Sequence, residues 1–296
     1  QKRKEITKMR EHSLRPIVTA VWAACASNLY ICVFFLCIAS LTSLRAQTLP
    51  LSHGERVDYD LYFKWGLIMS KAGLATLSVK ESEYQGAPSW HYNLLFRSGG
   101  VIEKVFRMRD TMDCHYSKEP RLMFSSKRTN EGDYYLVDNL QFEYRGSGRV
   151  EIHSHRHTLK ETKIDTMLMA KGRVFDMLGA TMYLRSLDWR TMSYGAEFPF
   201  MIAIGRELVN ARFRYTGQQI VEHKEAKFRT RHFYIDIYDE AFSQAKEAAE
   251  VWIGDDENHI PVKIRAKLKI GAAEVYYKDS YNLRAPLTCR IVVQKK

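Results

Sequence analysis

The chain has 296 residues, of which 46% are hydrophobic and 27% charged, with only 16 Gly and 7 Pro. This composition excludes disordered and collagen-like proteins and leaves enough apolar side chains for a substantial core. The net charge is +11, but residues 1–46 hold seven Lys and Arg against two Glu, so residues 47–296 carry +6 with both signs interspersed, and nucleic-acid binding is not expected.

Residues 1–46 are predicted to be a signal peptide. A basic stretch precedes the apolar run Leu29–Leu41, whose 13 residues suit the apolar core of a signal peptide and fall short of the ~20 needed to cross a bilayer. Cleavage is expected after Ala46. The alternatives are an uncleaved amino-terminal anchor and a lipidated cysteine. We therefore expect an exported protein, periplasmic or associated with the outer membrane.

Residues 47–296 are predicted to form a single β-rich domain, because no long linker rich in Ser, Pro or Gly divides them. From Val57 onward, apolar and polar residues alternate with a period of two, which is typical of half-buried strands. Turn-forming segments separate these runs. The first runs contain Val57, Tyr59, Leu61 and Phe63, then Leu74–Val79, then Trp90, Tyr92, Leu94 and Phe96.

Three later runs predict a meander of neighbouring antiparallel strands. They are Met123–Thr129, Tyr134–Tyr144 and Val150–His155. Gly132 lies between the first two, and Gly146 with Gly148 lies between the second and third. Short glycine-containing connections of this kind join adjacent strands of one sheet.

Residues 174–187 break the alternation, since their apolar residues are close to helical spacing, and a helix packed against the sheet is expected there. A short helix over 240–248 is predicted from its Ala, Glu, Lys and Gln content. The predicted fold class is mainly β, a large curved antiparallel sheet or open half-barrel with one or two short helices packed against it. Further strands are expected at 198–204, 207–216, 220–224, 229–237, 249–253, 262–268 and 274–281.

Several segments together resemble a known family. They are 54–66 with 72–77, 174–185, and 251–262 followed by Ile270 and Gly271. Their order and spacing make the chain similar to the exported bacterial family named domain of unknown function 3108. The resemblance implies an envelope protein with a signal peptide and a β-rich fold. It implies no activity and no functional residues, because that family is uncharacterised.

His153, His155 and His157 form a His-x-His-x-His pattern in a predicted strand. Their side chains therefore leave the same face, as neighbouring metal ligands do. Glu151 shares that face, whereas Arg156 adds positive charge beside it. A solvated strand face is the favoured interpretation and a metal site the weaker one. No metal, cofactor or catalytic residue is predicted.

The other sequence patterns do not identify a chemical activity. Residues 255–257 are acidic but lack the ligand spacing of an EF-hand, so a polar turn is predicted. Ser243–Lys246 matches Ser-x-x-Lys without its partner motifs, and no GxSxG, HExxH or GxxxxGK[ST] occurs. Cys114 and Cys289 are the two cysteines after residue 46, and the sequence leaves open whether they form a disulfide.

The abundant aromatic residues, 5 Trp, 17 Tyr and 14 Phe, suit either a core or a concave apolar face that holds a ligand. The first hypothesis is a non-enzymatic envelope protein whose curved sheet binds an apolar or lipid-like ligand or an envelope protein partner. The alternative is a metal-assisted hydrolase acting on envelope material, centred on the three His residues. The third is a purely structural interaction module. Oligomeric state and ligand identity are unknown at this point.

Overall fold

The computed structural model describes residues 49–105, 107–238, 247–268 and 271–292. These residues all lie within one compact unit, 47–296. The signal peptide predicted over 1–46 and nearly all of the helix predicted over 240–248 lie outside the described residues.

The described residues form sixteen strands and two α-helices. In chain order, the elements are β1 (Arg56–Trp65), β2 (Ile68–Tyr84), β3 (Ala87–Ser98), α1 (Gly100–Val105), β4 (Thr111–Ser117), β5 (Leu122–Glu131), β6 (Tyr134–Tyr144), β7 (Arg149–His157), β8 (Thr162–Lys171), β9 (Val174–Phe175), α2 (Met177–Arg185), β10 (Glu197–Ile204), β11 (Glu207–His223), β12 (Ala226–Tyr238), β13 (Ala249–Gly254), β14 (Pro261–Lys267), β15 (Ala272–Tyr281) and β16 (Arg290–Ile291).

All sixteen strands belong to one sheet. Its order is β8-β7-β6-β5-β4-β3-β2-β1-β15-β14-β13-β12-β11-β10-β9, and β16 pairs with β12 beside this path. Neighbours pair antiparallel except β9 and β10, which pair in parallel. The sheet thus consists of two meanders that the β1–β15 pair joins. The predicted fold class is confirmed, and so is the meander of β5, β6 and β7.

The sheet curves until its first edge approaches its other end. The Ser154 hydroxyl on β7 donates to the carbonyl oxygen of Gly205, in the turn between β10 and β11, at 2.6 Å. The Arg206 guanidinium donates to the carbonyl oxygen of Lys163 on β8 at 3.4 Å. These contacts make the sheet a nearly closed, barrel-like structure, more closed than the predicted half-barrel.

Helix α2 lies against the concave face of this sheet. The Asp176 side chain caps it by accepting the Gly179 N–H at 2.7 Å, which satisfies one of the free N–H groups of the first turn. Tyr116 on β4 donates to the carbonyl oxygen of Gly179 at 2.9 Å, and Tyr92 on β3 shares a hydrogen bond with Thr181 at 3.1 Å. A Cβ at residue 179 would lie 2.7 Å from the Tyr116 hydroxyl, so only glycine fits this approach.

A cluster of aromatic rings packs the other side of α2 against β9, β10 and β11. Tyr183 stacks on Phe175 with ring centroids 5.0 Å apart, and Phe200 stacks on Phe213 at 4.6 Å. Tyr183 also meets Phe200 edge to face at 5.8 Å. Such offset and edge contacts add to the stabilisation that ring burial already provides. The helix is therefore held on both flanks by the sheet that surrounds it.

The observed elements differ from the predictions in three places. The helix predicted over 174–187 occupies Met177–Arg185, because Val174–Phe175 pairs with β10 as a short strand. The strands predicted at 207–216 and 220–224 are one strand, β11, which a register shift near Gly217 bends without breaking. Strands β4, β8 and β16 and helix α1 are absent from the predictions.

Candidate functional site

Arg185 at the carboxyl end of α2 is fully buried, and its ion pair with Glu55 fixes the helix. The guanidinium donates to the Glu55 carboxylate at 2.7 and 3.2 Å and to the carbonyl oxygens of Pro50 at 3.1 Å and Asn258 at 3.0 Å. Burial alone would lower the pKa of Arg185, but the charge of Glu55 raises it above its ordinary value. These contacts have no exposed side that could bind a ligand, so we assign them to the fold.

The segments that carried the family resemblance meet at this ion pair. Glu55 comes from the first segment, Arg185 from the second and Asn258 from the third. Asn258 also donates to the carbonyl oxygen of Ala285 and accepts its N–H, which fixes the chain after β15. Each of the three segments that carry the resemblance thus contributes a residue that holds α2 in the sheet.

His153, His155 and His157 lie on the outward face of β7, as the sequence pattern indicates. The His153 Nε2 lies 2.6 Å from Asp165 on β8, and the His157 Nδ1 lies 3.1 Å from the carbonyl oxygen of Thr158. Throughout the described ranges, no three side chains among His, Cys, Asp and Glu are placed to hold a metal ion together. A hydrolytic zinc centre needs such a set, and His153, His155 and His157 do not form one in the described ranges.

The two cysteines after residue 46 are free and buried. Cys114 on β4 donates to the Asp176 carboxylate at 3.2 Å, and burial raises its pKa well above the ordinary value. Burial also raises the pKa of the Cys289 thiol, which lies beside Gly254. Thiols with raised pKa values are poor nucleophiles. Neither cysteine is therefore assigned a catalytic role.

The acidic residues 255–257 form the turn that the sequence predicts. Asp255 accepts hydrogen bonds from Arg231 and Gln218, and Asp256 accepts the backbone N–H groups of Asn258 and Cys289. Their carboxylates are thus occupied by protein donors. Ser243–Lys246 lies outside the described residues.

In the part of the chain that the structure describes, the aromatic residues do not line an open concave face. The inward side chains of the sheet are buried against α2 and against one another, among them Tyr92, Tyr116, Phe213 and Phe233. The concave face therefore packs against the protein itself. Apolar surface that could meet a partner has to lie elsewhere.

One such surface is the hairpin between β1 and β2, which we call the apolar tip and define as Trp65, Leu67, Ile68 and Met69. Trp65 is 61% exposed, Ile68 66%, and Leu67 completely. A two-residue turn formed by Gly66 and Leu67 closes the hairpin, with Gly66 at a φ of 57°. A tight turn with glycine in this conformation suits the twist of the two strands. The hairpin thus presents several large apolar side chains to solvent at once.

The other hairpin turns at this end of the sheet are also apolar. By the antiparallel order, the β5–β6, β7–β8, β10–β11 and β14–β15 turns point the same way as the apolar tip. They carry exposed Tyr134, Leu159, Ile204 and Leu268. At the opposite end, Tyr281 at the end of β15 and Val292 after β16 are also exposed. Among the described residues, exposed large apolar side chains are therefore more numerous at the end that carries the apolar tip.

Lysines surround the apolar tip. Lys64 and Lys71 flank it on β1 and β2, and Lys267 lies at the end of β14, two strands from β1. Lys71 and Lys224 both pair with Asp60, at 2.6 and 2.7 Å. One carboxylate between two ammonium groups leaves this part of the surface positively charged. Burial would raise the pKa of Asp60, but the two lysines outweigh it and hold that pKa below its ordinary 3.8.

We expect Asp60→Asn to lower the free energy of unfolding at pH 7 by about 1.5–3 kcal/mol, the usual contribution of a hydrogen bond to a charged group. Because the pKa of Asp60 is depressed in the folded protein, its contribution is complete above pH 3.8 and disappears as the pH falls through the folded value. Urea unfolding between pH 2.5 and 7 measures this. Asp133→Asn, in the exposed β5–β6 turn, is the control. An Asp60→Asn deficit that persists undiminished at the lowest pH would contradict the assignment.

A stack of side chains runs across the outer face of β12 to β15. His232 packs on Trp252 with ring centroids 4.5 Å apart, and the Lys263 ammonium lies 4.5 Å from Trp252 and 5.2 Å from Tyr276. His223, at the end of β11, stacks on Tyr276 at 4.1 Å. Burial lowers the pKa of Lys263. The stack holds the end of the β11–β12 hairpin against the outer face of the neighbouring strands, and the sequence could not reveal it because its members come from five strands.

Neither helix in the described part of the chain is long and apolar enough to cross a bilayer.

Comparisons with known proteins concern the family and the fold. The model of a family described as protein of unknown function, DUF3108, matches residues 58–278. A solved structure, titled as a beta-barrel-like protein of domain of unknown function DUF1849 from Brucella abortus, is similar with a TM-score of 0.53 and 9% identity, covering 78% of this chain and 99% of that one. At this identity the similarity concerns the fold alone. No curated protein matches the chain.

Proposed function

The chain belongs to the DUF3108 family of proteins of unknown function, as its sequence segments indicated, and we propose that it is an exported, non-enzymatic envelope protein that docks on an anionic membrane surface. The pattern of residues 1–46 supports export. The exposure of Trp65, Leu67 and Ile68 at one end of the molecule carries the docking proposal.

The sequence predicts that an apolar partner binds on the curved sheet. We propose that this partner binds at the rim of the sheet, at the apolar tip. Helix α2 packs against the concave face, whereas the apolar tip lies free. Soluble proteins rarely expose adjacent large apolar side chains, and such patches commonly mark interaction sites. The residue types favour a lipid interface, because Trp prefers the headgroup region and neighbouring Lys side chains reach the phosphates.

The expected binding energy is sufficient for reversible docking. Transfer of a large apolar side chain out of water contributes about 1.5–3 kcal/mol. Each Lys near an anionic surface adds about 1 kcal/mol, and salt weakens that part. Lys64, Lys71 and Lys267 lie near the apolar tip and would exchange their ion pairs with Glu274, Asp60 and Glu247 for lipid phosphates. We therefore expect binding that requires both the apolar side chains and anionic lipid.

The proposal predicts that Trp65→Ser/Leu67→Ser/Ile68→Ser lowers the partition coefficient onto vesicles of phosphatidylglycerol and phosphatidylcholine by roughly 1,000-fold or more, since three side chains at about 1.5 kcal/mol each lose about 4.5 kcal/mol of transfer energy. Co-sedimentation measures it with protein isolated from the envelope in the form the cell produces. The wild type and the variants then have the same amino terminus. Any lipid affinity of that terminus is therefore equal in all of them and does not affect the comparison.

The control is Tyr194→Ser/Val292→Ser, which removes exposed apolar side chains away from the tip. We expect it to bind as the wild type does. Vesicles of phosphatidylcholine alone should bind weakly, and added salt should reduce binding to the anionic vesicles. Equal binding by the tip variant and the wild type, or an equal loss in the control, would refute docking through the apolar tip.

A further inference from the structure

The outward face of β7 and β8 places sulfur atoms beside imidazoles. In the antiparallel register, Met167 lies opposite His153, Met169 opposite Glu151, and Asp165 opposite His155. Opposite residues have Cβ atoms about 5 Å apart, and residues two apart on one strand share a face at about 7 Å. Met167, Met169 and His153 therefore form the corners of a small triangle.

Both thioethers are open to solvent. Met167 is 53% exposed and Met169 58%, on a strand that forms the edge of the sheet. Two residues on the opposite face of β8 are buried in the core, Ile164 and Ala170. Two exposed Met side chains do not contribute to the core, so packing does not explain them.

His153 is held as a metal-binding imidazole usually is. Its Nε2 lies 2.6 Å from the Asp165 carboxylate. In the neutral tautomer that donates from Nε2 to this carboxylate, Nδ1 keeps its lone pair for a metal ion. Metal-ligating imidazoles almost always donate their other N–H to a carboxylate or carbonyl in this manner.

We propose that Met167, Met169 and His153 form a binding site for a soft monovalent metal ion, of which Cu(I) is the biological member. Thioether ligands select Cu(I), and imidazole suits copper as well. The set holds two thioether sulfurs and one imidazole nitrogen, and it thus differs from the His, Cys, Asp and Glu sets that hold zinc. The unbranched Met side chains can bring their sulfurs together over the face.

The test uses Ag(I), a redox-inert ion with the same ligand preference, and the protein labelled with ¹³C at its methionine methyl groups. Titration with Ag(I) should shift the methyl signals of Met167 and Met169 together. The shifts should stop when one Ag(I) ion is bound per site. Because the methyl signals report thioether binding directly, ions taken up by cysteine thiols do not disturb the readout. Met167→Leu and Met169→Leu assign the two signals.

Each Leu variant, and His153→Asn, is expected to weaken Ag(I) binding by at least about tenfold, since even the loss of a group that only orients a ligand costs 10–100-fold. Leu replaces an exposed Met with little change in volume, so folding is preserved. Met177→Leu is the matched control, because Met177 is also 53% exposed but has no imidazole opposite it. The proposal is overturned if the Met167 and Met169 signals stay in place, or if they move no more than that of Met177.

Discussion

Arg185→Met is expected to lower the free energy of unfolding by about 3–5 kcal/mol, the usual cost of removing one partner of a buried ion pair. Both side chains of the pair are buried, and Met cannot replace the donors to Glu55, Pro50 and Asn258. The variant would leave a carboxylate without a partner at the carboxyl end of α2. Urea unfolding followed by tryptophan fluorescence measures the loss.

The double variant Glu55→Leu/Arg185→Met distinguishes the stability lost through an unpaired buried charge from the stability lost through altered packing. Replacing a whole buried pair by apolar residues is often neutral, so the double variant should be more stable than Arg185→Met alone. It should remain below the wild type, because the carbonyl oxygens of Pro50 and Asn258 stay without donors. A loss under 1 kcal/mol in the single variant would mean that the pair does not fix α2.

Phe213→Ala is expected to cost about 3–5 kcal/mol through a cavity in the core. Phe213 is buried on β11, where it stacks on Phe200 and contacts Tyr183 of α2. The nearly closed sheet around the helix restricts the collapse that would fill the space. Thermal unfolding, evaluated at one temperature for both proteins, measures the difference.

Phe213→Leu is the control, since it retains most of the volume and should cost only about 1 kcal/mol of ring pairing. An apolar cavity stays dry and accepts small apolar molecules. Benzene should therefore raise the melting temperature of Phe213→Ala and leave that of the wild type unchanged. If Phe213→Ala lost less than Phe213→Leu, the interior would be loosely packed, contrary to this structure.

Much of the sheet could be predicted because the alternation of apolar and polar residues that indicates a strand lies within a few consecutive residues. The alternation through Val57, Tyr59 and the runs of β6 and β7 records which side chains are buried, and the observed burial follows it. Two glycines allow the backbones of neighbouring segments to approach closely. A Cβ at Gly73 would lie 2.1 Å from the carbonyl oxygen of Arg97, and one at Gly271 2.2 Å from that of Lys64.

The position of α2 could not be predicted, because it depends on contacts between distant segments. The spacing over 174–187 indicates a helix with one apolar stripe, whereas the observed helix buries Gly179, Arg185 and residues on several sides. A buried arginine has no sequence signal of its own. Glu55 is separated from it by 130 positions, so only the folded structure brings the pair together.

The sequence predicts some residues of the candidate sites and misses others. The shared face of His153, His155 and His157 follows from strand periodicity, and the structure places them so. The partners of that face on β8 were missed, because the strand itself was not predicted. The apolar tip had a signal in the unbroken run Trp65–Met69, which interrupts the alternation and would have been recognised had the turn been taken as a two-residue hairpin.

The pairing of β1 with β15 has a consequence for how the chain folds. Apart from the short pair of β12 with β16, every other antiparallel pair in the sheet joins consecutive strands, whereas the partner of β1 lies about 200 residues later in the chain. A chain made from its amino terminus therefore carries β1 as an exposed edge until residue 281 has emerged, and an exposed edge invites pairing with other chains. Arg56, Asp58, Asp60 and Lys64 put a charge at almost every second position of that edge, which keeps it from joining a wrong partner before its own arrives.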